Sequence, residues 1–194
     1  MMGMAQRVRL SREQRREQLL DLGVRLFASR SVDELSVDVV AAEAGISRGL
    51  LYHYFGDKVA FREAVVRRAA DDLVAQTAPP ATGDDLSRLL HSVTAYVDFV
   101  EANYEGYLSL VRGAASDPAL RAIYDEAFAQ LGDRFFTVGS SEFADTPAVR
   151  LLVRGWQAMA EELVLGWIAD RSSLTRERLL DLLVRSLPTL VDLL

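Results

Sequence analysis

The chain has 194 residues, half of them apolar, with 22 Lys and Arg against 28 Asp and Glu and no cysteine. That size allows one domain or two small ones with a real core, and the lack of cysteine excludes disulfides and thiolate metal sites and fits a cytoplasmic protein. No eighteen uncharged apolar residues run together, so no membrane span is expected, and the start "MMGMAQRVRLSREQRR" lacks the apolar stretch of a signal peptide.

Charge is unevenly placed. Residues 1–58 carry nine Lys/Arg against eight Asp/Glu, and residues 59–194 carry thirteen against twenty. Near the start Arg7, Arg9, Arg12, Arg15 and Arg16 face only Glu13. A basic arm on an acidic protein points to local contact with a polyanion, the alternative being a solvated terminus.

The elements read as helices in succession. Ser11 and Gln14 form a capping box, and Leu19, Leu20, Leu22, Val24, Leu26 and Phe27 give a first helix over 12–29 an apolar face. Ser36 caps a short second helix, "VDVVAAEA", which Gly45 ends. Ser47 caps a third, "RGLLYHYF", and Asp57 a fourth, long one from Lys58 to about Ala75. "TAPPATGDD" is the clearest break. A fifth helix carries Leu86, Leu89, Val93, Tyr96, Val97 and Val100, and a short segment "YEGYLSLVRGA" follows. Asp117-Pro118 opens the next helix, to about Phe136. "TVGSSEFADTP" is a loop, Thr146-Pro147 opens a helix to about Asp170, and a last helix over 175–193 carries Leu179, Leu183, Leu187 and Leu190, with Pro188 bending its end. The fold class is therefore all-α, about nine helices. An N-terminal three-helix module is joined by the long fourth helix to a C-terminal helical bundle, with domains at 11–71 and 72–194.

"GISRG", residues 45–49, matches the G-x-S-x-G of a serine hydrolase elbow. An elbow needs a buried strand before the serine, and here an alanine-rich helix precedes it. The chain offers only His53 and His91 as triad partners, and His53 lies in the same short helix. A helix-turn-helix explains more residues. With Val37 first, Val40 and Ala41 fall fourth and fifth, Gly45 ninth, Ile46 tenth, Leu51 fifteenth and Tyr54 eighteenth. Ala41 lets two helices cross closely, and Gly45 lets the turn be tight. Arg48, Gly49, Tyr52 and His53 are left facing outward, a set useful against DNA.

"SVDVVAAEAGISRGLLYHYFGDKVAFREAV" resembles the N-terminal module of the TetR family of one-component transcriptional regulators, over residues 11 to about 70. Gly56-Asp57 departs from the more basic pair the family often has there. The resemblance implies that Ser36, Tyr52, Tyr54 and Lys58 hold phosphates, with Ser47 near the backbone. It also implies that Arg48 and His53 lie nearest base edges and that Gly49 permits close approach to the groove. Arg48 suits bidentate contact with guanine, and Lys58 opens a helix N-terminus that already favours an anion. The alternatives are packing on the first helix for Tyr54, capping alone for Ser36 and Ser47, and an ordinary surface lysine for Lys58.

The C-terminal part shows no catalytic constellation. Adjacent acids such as Asp71-Asp72 diverge by about 100° on a helix, and no Glu-x-x-His occurs, so neither enzyme activity, metal nor cofactor is expected. Its bulky side chains suit a mostly apolar pocket, or simply a core. Tyr104, Tyr107, Tyr124, Phe128, Trp156 and Met159 are the expected ligand contacts, with Asn103, Arg112 and Gln157 as orienting groups. The expected function is a homodimeric DNA-binding transcriptional regulator, a repressor released from double-stranded operator DNA by a small, mostly apolar effector. The helices at 147–170 and 175–193 are expected to form the dimer interface, with Leu179, Leu183 and Leu187 in its seam. A protein-only helical adaptor leaves the outward Arg48 and Tyr52 unexplained.

Overall fold

The computed structural model describes residues 11–137 and 144–194. Among the described residues it holds nine helices: α1 (Arg12–Phe27), α2 (Val37–Ala44), α3 (Arg48–Phe55), α4 (Lys58–Gln76), α5 (Asp85–Ala102), α6 (Tyr104–Gly113), α7 (Pro118–Thr137), α8 (Pro147–Ala169) and α9 (Arg176–Val191). The expected Arg7 and Arg9, and most of the 137–147 loop, lie outside the described residues. No helix among the described residues is long and apolar enough to cross a membrane.

The boundaries follow from local chemistry. Ser11 and Gln14 satisfy each other's backbone amides at 3.1 and 2.9 Å, a closed capping box that fixes where α1 begins. Ser36, Ser47, Asp57, Asp84, Thr146 and Thr175 each accept the amide three residues on, so six further N-termini are set by a side chain within reach of its own helix. Asn103 does otherwise: its amide reaches back to the Phe99 carbonyl at 2.9 Å. α1 stops at Phe27, two residues short of the expected end, and α9 continues through Pro188 to Val191.

Two cores result. The first gathers Leu19, Phe27, Val40, Leu51, Phe61 and Val65 from α1–α4, and takes in Leu110, Leu120 and Ile123 from α6 and α7. The second gathers Val97 and Val100 of α5, Val153 and Val164 of α8, and Leu179, Leu183 and Leu187 of α9. α4 spans both, since Ala69 belongs to the first and Leu73 to the second.

α1 meets α6 where a Cβ on Gly106 would collide with the Phe27 carbonyl and ring. The Val32 amide donates to Ser109 Oγ on α6 at 3.0 Å. Arg62 of α4 holds Asp117, at the start of α7, at 2.5 Å.

The last helix corrects one expectation. Leu179, Leu183 and Leu187 are fully buried within this chain, where α9 packs on α5 and α8. A helix with leucine on most sides still has one face turned out, and here that face carries Leu182. The buried stripe is core and forms no seam between copies. Trp156 and Trp167 of α8 are buried likewise, with indole N–H groups on the carbonyls of Leu183 and Leu174.

Candidate functional site

The first site is built on α2 and α3. Gly45 adopts φ 63° and ψ 35°, the left-handed conformation that glycine takes without a Cβ clash. The Gly45 and Ile46 amides then close back on Ala42 and Ala41. Val40, Ala41 and Leu51 are sealed beneath the turn, which fixes the angle between the helices and turns the other face of α3 to solvent. Arg48, Gly49, Tyr52 and His53 are exposed on that face. A Cβ at Gly49 would meet nothing, so the surface there is low and open to close approach.

Each expected contact has a definite setting. Ser36 and Ser47 cap α2 and α3 through Oγ at 3.3 Å from the Val39 and Leu50 amides, and Ser47 remains exposed. Tyr54 is half-buried against the first core, with its ring edge-on to His53 at 5.6 Å. Lys58 is exposed in the first turn of α4, beside the Asp57 carboxylate that caps that helix. Arg48 is ion-paired, its Nε on the Asp38 carboxylate of α2. Both partners are solvated, so the pair is easily broken, worth about 0–1 kcal/mol.

From the basic start, Arg12 donates to the His53 carbonyl at 3.4 Å and Arg16 stacks over the Phe55 ring. α1 thereby holds the end of α3, a role its sequence did not announce.

The second site is a cavity of about 190 Å³ in the C-terminal half, walled by α5, α7, α8 and α9 and by Thr77 and Pro79 after α4. Phe128 and Trp156, two of the expected ligand contacts, line it. Tyr124 and Phe128 line a larger hollow of about 490 Å³ between α7 and α8. Its charged lining includes Arg121 paired with Asp125, and Arg150 paired with Asp133. Tyr104 and Met159 line neither; both pack on the second core, where aromatic and thioether bodies fill space. Asn103 and Arg112 line neither, whereas Gln157 lines both and donates to the Phe128 carbonyl at 3.1 Å.

Tyr107 lies behind the cavity wall, in a chain of hydroxyls ending on a buried carboxylate. Its Oη donates to Glu161 Oε1 at 2.7 Å, Tyr124 Oη donates to Oε2 at 2.7 Å, and Tyr96 stands 2.9 Å from the Tyr107 hydroxyl. Tyr107 spends its one proton on Glu161, so Tyr96 is the donor to Tyr107. Burial raises the Glu161 pKa above the ordinary carboxylate value, against the lowering effect of both phenols. Burial likewise holds Tyr96 and Tyr107 neutral.

Sequence reasoning missed Arg134 of α7. It lines the cavity and donates to Thr77 Oγ1 at 3.0 Å and to the Val74 carbonyl, both at the C-terminal end of α4. Desolvation lowers its pKa from the usual guanidinium value. No cluster of three His, Cys, Asp or Glu among the described residues is fit to hold a metal ion.

Known proteins share this fold. The family model for bacterial regulatory proteins of the tetR family matches residues 19–65, and that for the tetracyclin repressor-like C-terminal domain matches 86–189. A tetR-family transcriptional regulator from Streptomyces coelicolor superposes with a TM-score of 0.80 at 34% identity, covering 93% of this chain and 82% of that one. The HTH-type transcriptional activator FasR of Mycolicibacterium smegmatis is 29% identical over 164 residues, 82% of this chain and 75% of its own. A transcriptional regulator from Saccharomonospora viridis in complex with choline shares the fold, with a TM-score of 0.61 at 19% identity, over 93% of this chain and 96% of that one.

Proposed function

Since the chain belongs to the TetR family and is a DNA-binding transcriptional regulator, we propose that it acts as a homodimeric repressor whose operator affinity is lowered by a small molecule held in the cavity of its C-terminal half. The observation that carries this reading is α4. It is about 28 Å long, with Lys58 at one end beside the α3 surface and, at the other, Val74 and Thr77 held by a residue of the cavity wall. A ligand that changes the wall acts on a helix that also positions α3.

At the DNA end, Arg48 and His53 reach base edges, Gly49 allows close approach, and Ser36, Ser47, Tyr52, Tyr54 and Lys58 engage the backbone. Arg48 must exchange Asp38 for its base. At the ligand end Phe128 and Trp156 are direct contacts, while Tyr107 and Tyr124 act through Glu161. Two α3 helices must stand about 34–36 Å apart, or a multiple, to enter successive major grooves. A ligand that prefers another spacing lowers affinity by its preference for that state. The dimer surface fits the outward faces of α8 and α9, where Leu151 and Leu182 are exposed and no neighbour lies within 4 Å of a Cβ at Gly155 or Gly166.

Operator selection from random duplexes, followed by transcription in vitro with and without protein, tests the reading and scores both signs of regulation. That matters because the Mycolicibacterium smegmatis relative is named an activator. Transcription that rises when protein is added would replace repressor by activator. A sequence-specific complex that no cavity ligand weakens would remove the release step.

A further inference from the structure

The lining of the 190 Å³ cavity contains three groups with a fixed charge at neutral pH: Asp85 and Arg88 on α5, and Arg134 on α7. Asp85 and Arg88 are three residues apart on one helix, near enough to offset each other. Arg134 therefore leaves the lining with one net positive charge. Its guanidinium touches neutral oxygens, Thr77 Oγ1 and the Val74 carbonyl, and among the described residues it has no carboxylate partner. Five N–H donors are available to a guanidinium. Two of those donors are spent on Thr77 and Val74, and the half-buried residue lines the cavity, where its remaining donors are within reach of a ligand. A charge that has lost water without gaining a counter-charge is costly, and a ligand anion would offset that cost.

Apart from the neutral hydroxyl of Ser92, which also lines the cavity, the uncharged polar groups of the wall have hydrogen-bond partners. Gln157 donates to the Phe128 carbonyl, and Tyr96 to Tyr107. The rest is apolar, with Leu89, Phe135 and Trp156 on three different helices.

We propose that this cavity binds a monocarboxylic acid with a compact apolar body, its carboxylate on Arg134 and its body among Leu89, Phe135 and Trp156. A cavity of about 150 Å³ lined by aliphatic and aromatic residues holds benzene, so 190 Å³ fits a substituted ring or a medium-length alkyl chain. One guanidinium fork matches one carboxylate, whereas a phosphate dianion would leave a charge uncompensated in an apolar wall. The site deepens the effector reading and rests on it for one consequence: the carboxylate competes with Val74 and Thr77 for Arg134 and so loosens the end of α4.

Calorimetric titration of the full chain without DNA tests the site, using octanoate, octan-1-ol and octylammonium, and phenylacetate against 2-phenylethanol. The acids should bind at least roughly tenfold more tightly than the alcohols, as a charged hydrogen-bonded pair requires. Arg134→Gln should bring acid and alcohol to within about threefold while keeping the alcohol's affinity, and Arg88→Gln should leave the preference in place. Equal binding of acid and alcohol, tightest binding of the ammonium, or a preference that survives Arg134→Gln overturns the proposal. So does an absence of acid binding in both body shapes. The wild-type comparison decides even if Arg134→Gln fails to fold. Acid binding that follows this pattern without changing operator affinity overturns the release reading and leaves the site standing.

Discussion

The core under α1–α4 closes on Val40, Leu51, Phe61 and Val65 with no fully buried charged residue, Arg62 reaching only its edge to pair with Asp117, whereas the core of α5, α8 and α9 buries Gln157 and Glu161 and stands against a cavity. An apolar core of short, capped helices has one way to pack, which suits a surface that must meet a fixed groove geometry. A core with polar groups and a hollow has alternative arrangements of similar energy, because hydrogen bonds can be exchanged and space can be filled. On the proposed function, the difference gives rigidity to the reading surface and responsiveness to the other half.

The largest expected effect tests whether the two cores are separate units at all. Leu51→Ala and Leu183→Ala each empty a fully buried site and should cost about 2–5 kcal/mol. Leu120 and Ile123 of α7 sit in the first core, so both variants should lower a single transition. Both tryptophans lie at 156 and 167, so their fluorescence reports the C-terminal half while circular dichroism reports the whole. A Leu51→Ala protein whose dichroism shifts while the tryptophan transition stays put would make the halves independent domains.

The next contrast lies within the reading surface. Arg48→Ala should cost about 1–3 kcal/mol per half-site and relax preference at one base pair. Lys58→Ala should weaken specific and random duplex alike and lower the salt slope by about one per protomer. Both residues are exposed, so melting should not move. Titrations on both duplexes over a range of salt separate the two roles. An equal loss on both for Arg48→Ala makes it another phosphate contact.

Asp38→Asn should act in the opposite direction. It frees Arg48 of its intramolecular partner and removes a negative charge near the DNA, raising operator affinity by roughly two- to fivefold, most at low salt. A fall in affinity would mean that Asp38 positions Arg48 for its base.

The smallest effect sharpens the other side of the comparison. The folded protein raises the Glu161 pKa, so folding favours its protonated form. Its contribution to stability is full below the ordinary carboxylate value and drains away as pH rises through the folded value. Glu161→Gln should flatten that part of the stability–pH curve, as measured by denaturant unfolding across pH 4–8. A wild-type curve that instead climbs over this interval, with the variant flat, would mean that the phenols outweigh burial.

Much of the reading surface was legible because its determinants are local. Ser36, Ser47 and Asp57 act on amides three residues away, and Gly45 acts on its own torsion angles. The outward face of α3 follows once Ala41 and Leu51 are turned in. The leucine stripe of α9 falls in the core rather than a seam for the converse reason: a helix with leucine at 179, 180, 182, 183, 187 and 190 presents apolar residues on most sides, and periodicity does not say which neighbour covers which. Tyr104 and Met159 look the same in sequence whether they fill a core or line a hollow. Arg134 gave no signal, since beside Asp133 in a charged stretch it reads as surface. Its place depends on oxygens 57 and 60 residues earlier in the chain.

The meeting of Gly106 with Phe27 bears on how such a protein can be taken apart and recombined. Exchanging reading heads between relatives invites a cut in or just after α4, where the two cores hand over between Ala69 and Leu73. A head grafted that way carries Phe27 and Val32 with it and leaves Gly106 and Ser109 behind. A host with any side chain at the position of Gly106 would push the head off its seat, because the Phe27 carbonyl and ring occupy that space. The exchangeable cassette is therefore discontinuous, the head together with two residues of α6.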